Sequence, residues 1–264
     1  PVPCPELLRA RPRPSAEREG GPPLHFFDLA TQSVPGCPKF RGVRIYRDFL
    51  EPEEETALLA ELDQKPFVPA QSGKGKQHYG PRINFNKRRM NAQAFRGIPA
   101  YARWIEQRLR ERTRDDDTLS RSDREELETA LSDFEVTDVF VLRYHPEQAS
   151  NLDFHLDDTF AYGELIADLS LESDTWLSFL LGRPGSEVRG SERLVDEPIC
   201  VRVPLPARSL AILYGPARFE WEHAVLAYDI ERRRTSVTLR TLGPSLRASA
   251  EGEIVVARAR ETIG

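Results

Sequence analysis

The segment DFHLDD, residues 153–158, combines metal-binding side chains with the spacing of a β-strand. Alternate residues of a strand point to the same face with their Cα atoms roughly 7 Å apart, so His155 and Asp157 share a face. A neutral imidazole and a carboxylate placed in this way could bind one metal ion. The same pair could equally form a solvated strand end beside a turn, and a lone His-x-Asp does not decide between the two.

A second histidine, His223, follows the strand-like run SLAILYG and lies in the segment RFEWEHAV. Two imidazoles and one carboxylate leave about half of an octahedral shell open, which is the ligand set of non-haem Fe(II) oxygenases. A structural zinc site would use four protein ligands and leave no open position. Taken alone, His223 would more often be an imidazole satisfied by a hydrogen bond.

Two arginines and a tyrosine supply groups that bind carboxylates. Arg234 and Arg240 lie in RTSVTLR, where the even-numbered residues share one strand face. Guanidinium groups pair with carboxylates through two parallel hydrogen bonds, so these side chains could hold a short dicarboxylate. Tyr144 ends the strand before His155, and its hydroxyl could donate to the same ligand. A solvated, arginine-rich strand edge and a tyrosine that lines a barrel are the alternatives.

These residues lie in the part of the chain whose periodicity is strand-like. From residue 134 onward, short apolar runs predict β-strands without intervening helices. The predicted strands are 134–144, 152–156, 164–172, 175–181, 199–204, 208–214 and 234–241. Many short strands of this kind are typical of an antiparallel sandwich or jelly roll.

The preceding part of the chain predicts two helices. EPEEETALLAELDQ has a proline near its first turn and acidic residues at its amino end, where the helix dipole favours them. PAYARWIEQRLRERT is amphipathic. Residues 112–133 predict a charged, partly helical surface insertion, residues 1–40 a flexible lead-in, and residues 244–264 a C-terminal tail of loop and peripheral structure.

Composition limits the class of protein. With 39% hydrophobic and 30% charged residues, the chain is typical of a soluble globular protein, and no apolar run approaches the roughly 20 residues of a membrane span. Three widely spaced cysteines argue against a disulfide framework and favour a reducing compartment. The net charge is −5, yet residues 71–96 hold seven Lys and Arg and no Asp or Glu. That segment, predicted to be loop or irregular strand, could meet phosphates or an acidic protein surface, or be only a solvated basic loop.

Taken in chain order, HLD, WEHAV and RTSVTLR resemble the AlkB family of Fe(II)- and 2-oxoglutarate-dependent dioxygenases. DFLEPEEETALLAEL, SGKGKQHYGPRINF and PLPARSLAILYGPARFEWEH also resemble it, so the likeness covers about residues 40–243. Together with NLDFHLDDTFAYGELIADLSL, these segments are most similar to the subfamily called AlkB homologue four. The resemblance implies an α+β fold with a mainly β core. This is a double-stranded β-helix (jelly roll) with N-terminal helices packed against the sheet, in one domain that spans residues 41–243.

The resemblance also implies roles for individual residues. Fe(II) would be held by His155, Asp157 and His223, with 2-oxoglutarate as cosubstrate and O2 as the oxidant. Arg234, assisted by Tyr144, would pair with the distal carboxylate of 2-oxoglutarate, and Arg240 would steady the end nearer the metal. Some family members have asparagine where this chain has Leu142 and Ser236, which would alter contacts to the cosubstrate without removing the charge pairing.

The segment before the β-helix forms a substrate lid in relatives, which makes residues 71–96 the lid candidate here. Its candidate contact residues are Lys74, Lys76, Tyr79 and Arg82. The resemblance implies oxidative N-demethylation of methyl-lysine in an actin-like protein or of N6-methyladenine in DNA, in cytoplasm and nucleus. The negative net charge favours the protein substrate. A 2-oxoglutarate-dependent side-chain hydroxylase and a catalytically weak interaction module remain as alternatives.

Overall fold

The computed structural model describes residues 23–182 and 198–263. The predictions for residues 1–22 lie outside the described residues. The helices are α1 (Pro52–Asp63), α2 (Ala100–Arg114), α3 (Arg121–Ser132), α4 (Gly215–Phe219), α5 (Pro244–Arg247) and α6 (Ala250–Ala259). The strands are β1 (Leu24–Phe26), β2 (Val43–Tyr46), β3 (Val68–Pro69), β4 (Gly75–Tyr79), β5 (Arg82–Asn84), β6 (Arg89–Asn91), β7 (Ile98–Pro99), β8 (Asp138–Tyr144), β9 (Leu152–His155), β10 (Tyr162–Leu171), β11 (Thr175–Leu181), β12 (Ile199–Leu205), β13 (Ser209–Leu213), β14 (Glu222–Val225), β15 (Arg234–Leu242) and β16 (Thr262–Ile263).

Two sheets form the core of the molecule. The major sheet has the strand order β2-β13-β10-β15-β8-β4-β3, and the minor sheet has the order β1-β12-β11-β14-β9. All neighbours in both sheets are antiparallel except β1 and β12. The two sheets pack face to face, since Leu142 and Ile166 of the major sheet and Leu177 and Val225 of the minor sheet belong to one hydrophobic core and line the same cavity.

Strand β8 shows why the residues of the major sheet alternate in role. Its odd-numbered residues Val139 and Val141 are fully buried. On the same face, Arg143 donates to the Asp63 carboxylate of α1 at 2.6 Å. The even-numbered residues point the other way, towards the minor sheet, because successive strand side chains alternate between faces. Both faces of the strand are therefore inside the protein, and the even face lines a cavity between the two sheets.

The first two helices form where their sequences predict them, and they contact each other. Pro52 occupies the first turn of α1, and the Glu54 side chain accepts from the Glu51 backbone N–H at 2.9 Å in a capping box. Arg108 of α2 forms two hydrogen bonds of 2.6 Å with the Glu54 carboxylate, which joins the two helices.

Among the described residues, no helix combines the length and apolar character that a membrane span requires.

Both ends of the predicted domain differ from the sequence-based expectation. Within the predicted flexible lead-in, β1 adds to the edge of the minor sheet beside β12, and Phe27 and Phe40 are buried. Beyond residue 243, α5 and α6 form a packed helical end in which Val255 is fully buried. The apolar residues of these two segments are few and irregularly spaced, so their packing depends on partners that are distant in the chain.

Residues 71–96, predicted to be loop or irregular strand, contain the strands β4, β5 and β6. Strand β4 joins the major sheet beside β8, while β5 and β6 pair with each other as a separate hairpin. The predicted charged insertion, residues 112–133, contains α3, whose Leu127 and Leu131 are buried. The basic segment therefore consists of a core strand followed by an exposed hairpin.

Gly42 is a position where the fold excludes a side chain. Its φ is +86°, and a Cβ atom there would overlap the Tyr214 carbonyl oxygen. We expect Gly42→Ala to lower the free energy of unfolding by more than about 2 kcal/mol, because the positive φ alone costs about 1–2 kcal/mol. Gly36→Ala is the matched control, since φ is +77° and nothing lies within 4 Å of its Cβ position. Urea denaturation of both variants should show a larger loss for Gly42→Ala; equal losses would contradict a role for the Tyr214 contact.

Candidate functional site

Three of the predicted residues converge between the two sheets. His155 ends β9, Asp157 follows two residues later, and His223 lies on β14 directly opposite His155 in the antiparallel pairing. One potential ligand atom from each lies within 4.8 Å of the other two. The two imidazole rings are 4.5 Å apart, and His223 Nε2 is 3.6 Å from Asp157 Oδ2. The pairing of β9 with β14 therefore brings together groups that are far apart in the sequence.

Hydrogen bonding and burial leave both imidazoles able to donate a lone pair. His155 Nδ1 lies 2.8 Å from the Asp153 carbonyl oxygen, which can only accept, so Nδ1 carries the proton and Nε2 is free. Burial lowers the pKa of His223 to about 3, which keeps its ring neutral at physiological pH. Its Nδ1 is buried and has no hydrogen-bond partner among the described residues. Neutral imidazoles of this kind are the usual form in metal sites.

The Asp157 carboxylate is held ionised and in a fixed position. Burial acts to raise its pKa, but Arg240 and the other neighbouring basic groups, Arg218 among them, together hold the pKa below its ordinary value. Arg240 donates to Asp157 Oδ1 at 2.9 Å. The buried Arg218 donates to the Asp157 main-chain carbonyl at 2.9 Å and to the carbonyls of Asp158, Tyr162 and Gly163. The loop after β9 is thus tied to α4, and Asp157 Oδ2 remains directed at His223.

This donor set fits an iron ion. Two ligand atoms at adjacent corners of a site with bonds of about 2.1 Å lie about 3 Å apart, close to the separation of His223 Nε2 and Asp157 Oδ2. Two imidazoles and one carboxylate with open positions are the ligands of non-haem Fe(II) oxygenases. No fourth His, Cys, Asp or Glu joins the group among the residues that the structure describes. The set is therefore suited to a metal that also binds a cosubstrate.

A cavity of about 120 Å³ adjoins the three residues. Its size suits a small dicarboxylate, since sites for drug-sized ligands are about 300–1,000 Å³. Leu142, Leu152, Leu177 and Val225 are among its apolar walls. Both positions where the resemblance predicts altered cosubstrate contacts, Leu142 and Ser236, lie in the lining.

Arg234 and Tyr144 lie opposite each other on neighbouring strands at one end of this cavity. Arg234 is 1% exposed; its Nε donates to Ser170 Oγ at 3.1 Å and one terminal nitrogen donates to Asp168 at 3.1 Å. Its guanidinium carbon is 5.1 Å from the centre of the Tyr144 ring. Burial raises the pKa of Tyr144 to about 12, so its hydroxyl stays protonated and can donate. The pair is arranged to receive a carboxylate.

Arg240 lies at the other end of the same strand face. Its Nε and a terminal nitrogen contact Asp138 Oδ1 at 2.9 and 2.7 Å, and the other terminal nitrogen contacts Asp157. The guanidinium carbon lies 4.0 Å from the centre of the Tyr162 ring. In this structure Arg240 therefore holds the carboxylate of the metal site, and its contact with the cosubstrate stays a prediction.

Two carboxylates of the site were not identified from the sequence. Asp138 pairs with Arg240, and Asp168 accepts from both Arg234 and Thr238. Each is an isolated acidic residue in an otherwise apolar strand, VTDVFVL and LIADLSL. An acid at such a position needs a buried partner. Strand parity also places Asp138 on the same face as Tyr144, so a signal for this residue was present.

The four predicted lid residues do not form one group. Lys74 is buried, with its amino group bonded to the Asn151 carbonyl and 5.9 Å from the Tyr144 ring. Lys76 pairs with Leu142 within the major sheet, and the half-buried Tyr79 donates to Gln77 at 3.2 Å. Only Arg82 lies on the exposed β5–β6 hairpin. Contact of the four with a substrate stays a prediction.

The β5–β6 hairpin, residues 82–91, contacts Phe160 and Tyr162, which follow Asp157 in the chain. Phe85 is 48% exposed, and its ring is 6.4 Å from Tyr162, the residue that packs on Arg240. The Arg88 guanidinium carbon is 5.1 Å from the Phe160 ring. The hairpin has four exposed cationic side chains and no acidic residue; these are Arg82, Lys87, Arg88 and Arg89.

Comparisons with known proteins agree with this geometry. Residues 42–240 match the 2OG-Fe(II) oxygenase superfamily. A human protein named alpha-ketoglutarate-dependent dioxygenase alkB homolog 4 is 36% identical over 235 residues, which cover 81% of this chain and 72% of that protein. A Caenorhabditis elegans protein named DNA N6-methyl adenine demethylase is 26% identical over 208 residues, covering 79% of this chain and 62% of that protein. A solved structure of OsALKBH1 has a TM-score of 0.52 at 14% identity, over 76% of this chain and 98% of that one, which supports the jelly-roll fold.

Proposed function

The chain belongs to the 2OG-Fe(II) oxygenase superfamily, and we propose that it removes methyl groups from nitrogen oxidatively, with N6-methyladenine in DNA as its substrate. It is an AlkB-family dioxygenase that uses Fe(II), 2-oxoglutarate and O2. The predicted double-stranded β-helix is confirmed by the similarity to the OsALKBH1 structure and by the mainly β core.

Bound iron, with 2-oxoglutarate and O2, supplies the oxidant that converts a C–H bond of the N-methyl group to C–OH. The residues of the chain provide binding, orientation and exclusion of water. Arg234 and Tyr144 would pair with the distal carboxylate of 2-oxoglutarate, while Arg240 keeps Asp157 ionised and oriented. Apolar walls such as Leu177 and Val225 exclude water from the cavity. The N–CH2OH product then splits to N–H and formaldehyde.

The observation that carries the substrate class is the β5–β6 hairpin. Its four cations form no ion pair with an acidic side chain within the described ranges. Unpaired cations beside an exposed aromatic ring suit a nucleic acid, since phosphates bind the charges and a base stacks on the ring. The ring of Phe85 lies next to that of Tyr162. Tyr162 packs on Arg240, which donates a hydrogen bond to Asp157. The Caenorhabditis elegans relative carries the name of a DNA N6-methyl adenine demethylase, which supports the same class.

Methyl-lysine in a protein is the second candidate, and a separate groove favours it. A groove of about 840 Å³ is lined by three carboxylates and one cation, which are Glu126, Asp133, Glu164 and Arg247, and by Tyr162. Acidic walls would attract a lysine-bearing peptide, and the net charge of −5 acts in the same direction.

Formaldehyde and succinate release should be measured in parallel on two substrates: a DNA oligonucleotide that contains N6-methyladenine and a basic peptide that contains methyl-lysine. We expect stoichiometric formaldehyde and succinate from the oligonucleotide and little formaldehyde from the peptide. Formaldehyde from the peptide alone would contradict the DNA proposal and favour the second candidate. Succinate without stimulation by either substrate would favour an interaction module.

Removal of the hairpin charges tests the same proposal by binding. We expect the combined substitutions Arg82→Ala, Lys87→Ala and Arg89→Ala to reduce the slope of log affinity against log salt concentration for single-stranded DNA by about 2, because each phosphate contact contributes about 0.7. Fluorescence anisotropy at several salt concentrations measures this slope. Arg41→Ala, Arg114→Ala and Arg121→Ala remove the same charge from exposed positions elsewhere and should leave the slope nearly unchanged. Equal effects of the two triple variants would argue against the hairpin.

A further inference from the structure

A line of four side chains joins the outer part of the major sheet to the metal site. His78 of β4 lies next to Asp138 of β8, with 2.6 Å between Nε2 and Oδ2. The other oxygen of Asp138 contacts Arg240 of β15 at 2.9 and 2.7 Å. Arg240 in turn donates to Asp157 Oδ1 at 2.9 Å. Each contact crosses from one element to the next, so the line connects an accessible strand to a metal-binding carboxylate.

Asp138 is the central member of this line. Its side chain is completely buried, and a buried carboxylate is costly unless each oxygen has a donor. Among the described residues, Arg240 donates to one oxygen and His78 contacts the other. Burial acts to raise the pKa of Asp138, but Arg240 and His78 hold it below its ordinary value. The carboxylate is therefore ionised, and the contacting nitrogen of His78 must be its donor.

His78 differs from the other three members because it is partly accessible. About 35% of its side chain is exposed, and the backbone pairing with β8 sets His78 beside Phe140, whose ring is 5.3 Å away. The backbone at Gly80 lies directly beside the contact between His78 and Asp138. A Cβ atom at Gly80 would overlap Asp138 Oδ2 and lie 2.7 Å from His78 Nε2. The His78–Asp138 contact thus depends on the absence of a side chain two residues later.

We propose that His78 is a positioning residue of the metal centre, which acts through Asp138 and Arg240 on the orientation of Asp157. Without His78, one oxygen of Asp138 loses its donor, and Asp138 can rotate towards Arg240 or solvent. Arg240 would then divide its hydrogen bonds differently between Asp138 and Asp157. The inference rests on the metal-binding role of Asp157 and not on the substrate proposed above.

Metal affinity of the purified protein tests this inference. We expect His78→Ala to weaken Mn(II) binding about 10-fold, the lower end of the range for groups that orient metal ligands through a hydrogen bond. Electron paramagnetic resonance titration of free Mn(II) measures the affinity. His78→Gln places an amide N–H near the position of Nε2 and should restore most of the affinity. His25→Ala, which removes an imidazole from β1 in the other sheet, is the matched control and should bind Mn(II) as the unmodified protein does.

A second variant keeps the test independent of His78 itself. Gly80→Ala retains the histidine but forces the contact with Asp138 apart, so it should also weaken Mn(II) binding. Circular dichroism establishes that each variant is folded. If folded His78→Ala or folded Gly80→Ala binds Mn(II) within about twofold of the affinity of the unmodified protein, the proposal is overturned. A loss in His78→Ala that His78→Gln does not restore would also overturn it, since packing rather than the hydrogen bond would then be responsible.

Discussion

Asp157→Ala is expected to lower the conversion of 2-oxoglutarate to succinate by more than about 100-fold, because loss of a group that merely orients a metal ligand already costs 10–100-fold. Asp157 is the anionic member of the ligand set, and its removal leaves two neutral imidazoles. The fold should persist, since Arg240 keeps its two contacts with Asp138. Succinate quantified by mass spectrometry, with iron content measured on the same sample, gives the result.

Asp117→Ala is a suitable control for this variant. Asp117 is an exposed carboxylate in the loop between α2 and α3, away from the cavity, so its removal should leave turnover unchanged. Asp157→Asn separates charge from shape and should resemble the alanine variant. Full turnover by Asp157→Ala under metal-controlled conditions would refute the assignment of Asp157 as a ligand.

Arg234→Ala is expected to raise the half-saturating concentration of 2-oxoglutarate by at least about 30-fold, equivalent to about 2 kcal/mol, the lower limit for loss of one partner from a buried ion pair. Arg234 is 1% exposed and is fixed by Ser170 and Asp168, so its fork is oriented before the ligand arrives. Arg234→Lys keeps the charge but loses the planar guanidinium group. Its affinity for 2-oxoglutarate should therefore lie between that of the unmodified protein and that of Arg234→Ala. Calorimetric titration of the Mn(II)-loaded protein with 2-oxoglutarate measures the affinity directly.

The neighbouring arginine provides the control. Arg233 lies one residue earlier, pairs with Glu172, and has 52% of its side chain exposed. Arg233→Ala should therefore leave 2-oxoglutarate affinity unchanged. Mn(II) affinity should also be unchanged in Arg234→Ala, which distinguishes it from Asp157→Ala. An unaltered 2-oxoglutarate affinity in folded Arg234→Ala would contradict its role as the carboxylate partner.

Most strands of the two sheets were predictable from the sequence because they alternate clearly or are continuously apolar. Strand β14 was not predicted, since its four residues, EHAV, include two polar ones and follow the short helix α4. Its position is set by pairing with β11 and β9 rather than by its own pattern. The packed residues 23–40 were missed for the same reason, because their structure depends on contacts distant in the chain.

Strand parity also predicted which side chains share a face, including Arg234 and Arg240. It does not give the register between strands, and the register decides which groups meet. That Arg240 lies opposite Asp138 follows from the β15–β8 pairing, which no local pattern reveals. Local sequence also fails to give the burial of Lys74. A lysine in a polar segment is expected to be exposed, whereas the structure buries Lys74 beside Tyr144.

Strand β9 is an edge strand of the minor sheet, and its pairing with β14 is interrupted by an irregularity after His223. An ion that bridges His155 and His223 is therefore a crosslink between the last two strands as well as a reaction centre. Part of its binding free energy becomes folding free energy of that margin. Depletion of iron would stop catalysis and would also weaken the attachment of β9 to the minor sheet. Metal supply therefore governs both the activity of this protein and the stability of one sheet edge.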